Sequence, residues 1–236
     1  ALFAVADTIA KVLLDYYPPL QVVFLRQLGL FFGVNLIMLY NLKWVGKTHN
    51  FSKQLLRGLT QAGSAVIFLV GLRTIPIADA TSIAFVAPLF VIVFSYFILK
   101  EPIGFRRWLA VIIGFSGTLI IIRPGFEIIN LGHLFIIIAA LLFALRQILS
   151  RLLASTDDPI TTAFFTAYTS VFIFVLFQPW VWTPITDKNH IFLFLVYAAF
   201  AGTAEFLVIK SLQIAHAVVV SPLQYTLLIW VTIFGF

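Results

Sequence analysis

Long apolar runs separated by short breaks dominate the chain. Read between charged residues and Pro/Gly breakers, they fall into nine segments: 1–15, 20–41, 55–73, 77–99, 107–122, 131–153, 159–182, 190–210 and 216–236. A helix needs about 20 mainly apolar residues to cross a bilayer. Strands of a membrane barrel would alternate apolar and polar positions. The run VIIGFSGTLIII (Val111 to Ile122) does not alternate, so the pattern predicts helices. The breaks carry Pro18-Pro19, Lys100-Glu101-Pro102, Arg123-Pro124-Gly125, Asp157-Asp158-Pro159 and Pro184.

Composition makes the membrane the natural solvent. Of 236 residues, 62% are apolar and 10% charged, against about half and about a quarter in soluble domains. A soluble fold of this length has too little polar residue content to cover so much apolar surface. The 26 Phe suit lipid-facing and helix-packing surfaces. With no Cys in these residues, disulfides, thiolate metal ligands and thiol catalysis are excluded for them. His49, His133, His190 and His216 are scattered near loops without the spacing of zinc ligands. No cofactor is called for. The +6 net charge sits in short loops, which points to topology and anionic lipid rather than to nucleic acid.

The loop charges predict orientation. One side carries Lys43, Lys47, Lys53, Arg57, Lys100, Arg106, Arg107 and Arg151. The other carries Lys11, Arg26, Arg73, Arg123 and Lys188. The richer side is expected in the cytoplasm, with the N-terminus. Ala1 lies already inside an apolar run, and the last residues, VTIFGF, are still apolar. The expectation is a piece cut within its first and last spans.

Shifting the chain by 140 residues lays ALFAVADTIAKVLL over LLFALRQILSRLLA without a gap. Lys11 falls on Arg151, Pro19 on Pro159, Phe24 on Phe164 and Leu72 on Leu212, whereas Pro88 and Pro222 do not coincide. The shift carries the first span onto the sixth. An odd number of crossings reverses orientation, so the halves are expected to be inverted repeats, with a tenth span beyond Phe236. Such symmetry suits alternating access, because exchanging the conformations of the halves exchanges the open side.

Several short motifs resemble one family. They are Asp7-x-x-x-Lys11, FLRQ with Arg26, LKEP (Leu99 to Pro102), IIRPG (Ile121 to Gly125), DDPITT at the seventh span, and SPLQYTLLIW (Ser221 to Trp230) in the ninth. Their order and spacing resemble the drug/metabolite transporter superfamily, specifically EamA-type permeases. The resemblance implies an all-α membrane protein of ten helices in two inverted five-helix repeats, nine helices being present here. It divides the chain into 1–124 and 131–236. It also implies a central cavity lined by the first, third, fourth, sixth, eighth and ninth helices. Members move amino acids, their derivatives, cofactors and other small metabolites. A proton or another ion is a candidate coupling partner, a homodimer a candidate assembly, and a bacterial inner membrane the expected location.

Charges inside a span are costly, about 2.5–3.5 kcal/mol even on lenient insertion scales, so they mark candidate sites. Glu205, deep in the eighth span, reads as a counter-ion for a substrate ammonium or a proton-coupling carboxylate, set against a structural hydrogen bond. Asp7 and Lys11 are four apart and able to pair, as a substrate contact or as a structural ion pair. Arg26 suits a fixed or gating role, with substrate contact second. Gln147 takes the place of Asp7 in the repeat, beside Arg146. Arg151 takes that of Lys11 and reads as a topology anchor. Lys210 ends the eighth span. Pro88 and Pro222 each free a backbone carbonyl that needs a new partner, and Gln224, Tyr225 and Trp230 follow Pro222 as a polar wall or as ordinary packing.

A secondary transporter of a small metabolite, working by alternating access, is therefore the expected function. The alternatives are a membrane-embedded enzyme and a non-transporting receptor or scaffold. The enzyme is disfavoured by scattered acids and by the lack of Walker, GxSxG or HExxH motifs.

Overall fold

A computed structural model describes residues 1–41, 44–122 and 131–234, and every regular element among them is helical. The helices are α1 (Leu2–Leu14), α2 (Pro19–Asn41), α3 (Phe51–Leu72), α4 (Ile77–Ala84), α5 (Ala87–Phe94), α6 (Phe105–Ile122), α7 (Leu131–Leu153), α8 (Pro159–Val181), α9 (Lys188–Ile214), α10 (Ala217–Val220) and α11 (Thr226–Phe234). A π-helical turn, Ser95–Leu99, extends α5, and a 3-10 turn, Ser221–Tyr225, joins α10 to α11. Lys43, the Arg123-Pro124-Gly125 break and the final Gly235-Phe236 lie outside the described residues.

Over their described residues all nine apolar segments are helical, and two of them are broken. Six helical stretches among the described residues are long and apolar enough to cross a membrane, including Asp79–Leu99, which spans the α4–α5 break. Outward positions such as Phe32, Leu36, Phe97, Phe172 and Leu195 are large, apolar and exposed, as a lipid-facing surface requires. The chain is thus a multi-pass membrane protein. Two boundaries differ from expectation in ways that matter. Helix α3 begins at Phe51, so Arg57 is not a loop residue but lies in the helix interior at 1% exposure. Helix α9 runs to Ile214, which leaves Lys210 exposed one turn inside its end.

Side-chain bonds tie the loops into two opposite ends. At one end, Thr48 and Gln54 donate to the Asp157 carboxylate at 2.6 and 2.8 Å, and Gln213 donates to the Asp157 carbonyl. At the other, Tyr17 bonds His190 at 2.9 Å, and Gln21 both donates to and accepts from the Thr183 backbone. Successive spans therefore run alternately up and down. Helix α1 packs on α9 and α11, and α7 packs on α3 and α5. Helix α2 packs on α9, α8 packs on α3, and α2 and α8 face each other.

Small residues permit the closest of these crossings. A Cβ on Gly29 of α2 would run into the Ala198 carbonyl oxygen of α9, and one on Gly202 would stand 2.5 Å from the Gly29 carbonyl carbon. At the α3–α8 crossing a Cβ on Gly58 would instead meet a side chain, 2.5 Å from the Thr169 Cβ. Overpacking ordinarily costs about 1–3 kcal/mol because side chains shift aside; between α2 and α9 backbone is in the way. Gly202→Leu is expected to lower stability by about 3 kcal/mol, read as thermal unfolding of the purified protein in detergent. Gly117→Ala, whose methyl would meet nothing within 4 Å, is expected to leave the midpoint unchanged or raised.

Candidate functional site

The inward face of α3 carries a polar stripe: Gln54, Arg57, Gln61 and Ser64. Spacings of three, four and three residues place them on one side of a helix. Against this stripe lie α7, with Arg146 and Ser150, and α9, with Glu205. The three charged side chains are nearly solvent-free, at 1%, 6% and 5% exposure for Arg57, Arg146 and Glu205. Arg57 is six residues past Phe51, Arg146 seven before Leu153 and Glu205 nine before Ile214. At about 1.5 Å per residue, all sit about 9–14 Å below the same end of the bundle.

Both guanidinium groups converge on one carboxylate oxygen. Arg146 Nη1 donates to Glu205 Oε1 at 2.5 Å, and Arg57 Nη2 stands 3.6 Å from the same atom. Arg146 also donates to Gln61 Oε1, and Arg57 to Thr166 Oγ1 and, at 2.6 Å, to Ser150 Oγ. The Phe143 ring lies 4.6 Å from the Arg146 guanidinium carbon. Hydroxyls and an amide thus disperse charge that a single carboxylate cannot neutralise. With ordinary ionisation the triad carries a net +1 in a medium where unpaired charge is costly.

A second polar group lies toward the other end. Arg26 stacks over the Phe3 ring at 5.4 Å and interacts electrostatically with Tyr197, Asp7 and Glu205. Lys11, exposed on α1, is in no ion pair among the described residues. Asp7 and Lys11, though four apart, form no ion pair with each other among the described residues, and Arg26 of α2 exerts an electrostatic influence on Asp7 from across the helices. Gln147 is 1% exposed, and neither of its amide atoms has a hydrogen-bond partner; the same holds for Arg146 Nε.

The proline breaks behave as the sequence suggests. Between α4 and α5 the Leu89 N–H turns to the Val86 carbonyl, which releases the Phe85 carbonyl. Tyr225 donates its hydroxyl to that oxygen at 3.0 Å, with its ring stacked on Phe85 at 6.0 Å. Tyr225 is thereby a buried structural link between two broken spans. Pro88 is buried at the start of α5, Pro222 is half-buried in the 3-10 turn, and Gln224 is half-buried beside it. Trp230 is 39% exposed on α11.

Near the loop end, the π turn and the left-handed Lys100 (φ 54°) turn Glu101 inward to 5% exposure. Its Oε1 takes Arg151 Nε at 3.1 Å and His216 Nδ1 at 2.9 Å. Arg151 also caps the carbonyls of Leu212 and Gln213 at the end of α9. Arg151 is thus a cross-helix latch as well as an interfacial charge. Sequence reasoning passed over Arg57, Gln61, Thr166 and Glu101. The three-four-three stripe on α3 was the signal for the first two.

The EamA-like transporter family matches residues 1–123 and 130–236. An S-adenosylmethionine uptake transporter of Rickettsia prowazekii is 26% identical over 94% of this chain and 75% of its own length. A riboflavin transporter of Vibrio cholerae is 26% identical over 76% of this chain and 60% of its own length. A solved crystal structure shares the fold at a TM-score of 0.83 and 15% identity, covering 99% of this chain and 85% of that one. The chain belongs to the EamA-like transporter family.

Proposed function

We propose that this transporter is a secondary carrier of a small organic metabolite, working by alternating access between two inverted five-helix repeats, 1–124 and 131–236. The observation that carries this reading is the buried Arg57–Arg146–Glu205 triad, which joins one half to the other inside a membrane bundle. Intramembrane charges of this kind mark solute or ion pathways.

The inverted repeat draws support from contacts that recur with the 140-residue offset. Gly29 meets Ala198, and Gly58 meets Thr169; adding 140 to 29 and 58 gives 169 and 198. Arg57 bonds Thr166, and their mates Tyr197 and Arg26 interact in turn. Phe85 and Tyr225, 140 apart, touch each other, as mates beside a twofold axis must. Exchange of α1–α2–α3 with α7–α8–α9 maps the main helix packings onto one another. The fourth and ninth spans, five apart, are both broken near a proline.

The relatives named for S-adenosylmethionine and riboflavin transport make those two compounds the first solutes to test. On this reading the protein lies in a bacterial inner membrane with its N-terminus in the cytoplasm, as the loop charges favour. A proton or another ion gradient drives it, and Glu205 takes part in the transport cycle. Asp7, Arg26, Gln147 and Gln224 line the solute path.

Glu205→Gln is expected to cut uptake into proteoliposomes at least about tenfold, the effect of losing about 1.4 kcal/mol of charge-assisted bonding, while the protein stays folded and inserted. Unchanged rate, solute range and pH dependence would remove Glu205 from the mechanism. Orientation is testable by labelling, because these residues contain no Cys. A cysteine replacing exposed Lys188 is expected to react with an impermeant maleimide in intact cells. One replacing His49 is expected to react only after permeabilisation. The reverse pattern would invert the topology.

A further inference from the structure

One carboxylate fastens four spans at one end of the bundle. Glu101 follows the fourth span and is turned inward by the left-handed Lys100. Its Oε1 holds Arg151 of the sixth span and stands 2.9 Å from His216, which precedes the ninth. Its Oε2 lies 3.4 Å from the Val218 backbone nitrogen at the start of α10, a donor that the helix cannot satisfy itself. Arg151 in turn holds the last carbonyls of the eighth span. Beneath Glu101 an apolar cluster of Val91, Ala144, Ile148, Leu212 and Ala217 draws on the same four spans.

The polar groups one layer in are stranded. Gln147 lies one turn below Arg151 on the same face of α7. Ser95 lies one turn inside the end of the fourth span, with its carbonyl bonded to the Glu101 N–H. Ser221 lies one turn into the ninth span from Ala217. At about 5.4 Å per turn the three share one depth. They are 0% (Ser95, Ser221) and 1% (Gln147) exposed. Both hydroxyls and both amide atoms of Gln147 have no hydrogen-bond partner among the described residues. Buried polar groups are ordinarily bonded, and leaving them unpaired costs free energy. Apolar side chains would close a purely structural junction at less cost. Groups stranded with the junction shut gain partners when water enters it.

Water already stands outside. A cleft of about 420 Å³, lined by Leu99, Ser155 and Gln213 beside the three latch residues, opens toward the loops. The mates of Arg151 and Gln147 at the 140-residue offset, Lys11 and Asp7, are exposed. Among the described residues only one end is fastened in this way.

We propose that the junction of the fourth, sixth and ninth spans is the passage for solute at this end, and that Glu101, with Arg151 and His216, is the latch that holds it shut. Opening gives Arg151 and His216 to water and hydrates Ser95, Gln147 and Ser221. Glu101 is a positioning residue, acting on the spans and not on solute. This rests on the carrier reading above and adds which spans part and what restrains them.

The test is a cysteine replacing Ser221, in residues that contain no other Cys, exposed to an impermeant methanethiosulfonate in membrane vesicles of each orientation. The latched face is the one on which a cysteine replacing exposed His49 reacts. With Glu101 intact, Ser221→Cys is expected to react slowly from both faces. Adding Glu101→Gln is expected to speed its reaction from the latched face about tenfold or more, as loss of a charge-assisted bond implies, and from that face alone. His216→Ala, at a half-exposed position, is expected to give a smaller rise from the same face, and it decides the matter if Glu101→Gln fails to insert. A reducible bridge between Glu101→Cys and His216→Cys is expected to stop uptake, and its cleavage to restore it. No rise in reactivity, an equal rise from both faces, or uptake undiminished by the bridge overturns the latch and leaves the carrier standing. No saturable wild-type uptake across a panel of labelled metabolites headed by S-adenosylmethionine and riboflavin overturns both.

Discussion

Everything polar inside this bundle depends on how closely backbones approach. Gly29 and Gly202 bring α2 against α9 with no side chain between them, and Gly58 lets the Thr169 side chain of α8 close against α3. In lipid there is little hydrophobic drive between helices, so such contact relies on dispersion and bonding across the interface. Once the helices lie that near, side chains from α3, α7 and α9 reach a common point. Bulk at either crossing would separate the guanidinium groups from the one carboxylate that compensates them.

The polar interior has two tiers. Bonds such as Tyr17 with His190 and Asp157 with Thr48 and Gln54 lie at the ends of the bundle and fasten loops. The arginine–glutamate triad lies deeper, where water cannot share the work, so it needs a dedicated partner for nearly every donor. Ser150, Thr166 and Gln61 serve that purpose. The partnerless atoms of Arg146 and Gln147 are exceptions, and exceptions of this type in a dry interior call for an explanation in terms of function.

Much of the fold was legible because membrane spans are written in composition and length. Over the described residues all nine segments are helical, with ends near those read from the breakers. The errors have physical causes. Arg57 read as a loop charge because a cation near the start of a span usually snorkels outward; the stripe on α3 instead turns it inward. Asp7 and Lys11 are able to pair on helical spacing alone, yet form no ion pair among the described residues, and the electrostatic influence of Arg26 on Asp7 comes from another helix, which no local pattern can reveal. Glu205 stood out because a lone acid in an apolar span must have a partner, although its two arginines lie far away in sequence. Tyr225 read as a polar wall or as ordinary packing, and its hydroxyl is committed to a carbonyl released by a break 140 residues earlier, a partner that no local pattern names.

That last contact bears on descent. If the two halves stem from one duplicated segment, Phe85 and Tyr225 were once the same residue meeting its own copy across the symmetry axis of a homodimer. An isologous contact of that kind changes on both sides with every substitution. Fusion of the copies lifts that restriction. One aromatic ring has a hydroxyl and caps its neighbour's backbone; the other has none and offers only its face. The pair is then a small record of a symmetric interface becoming a directional one.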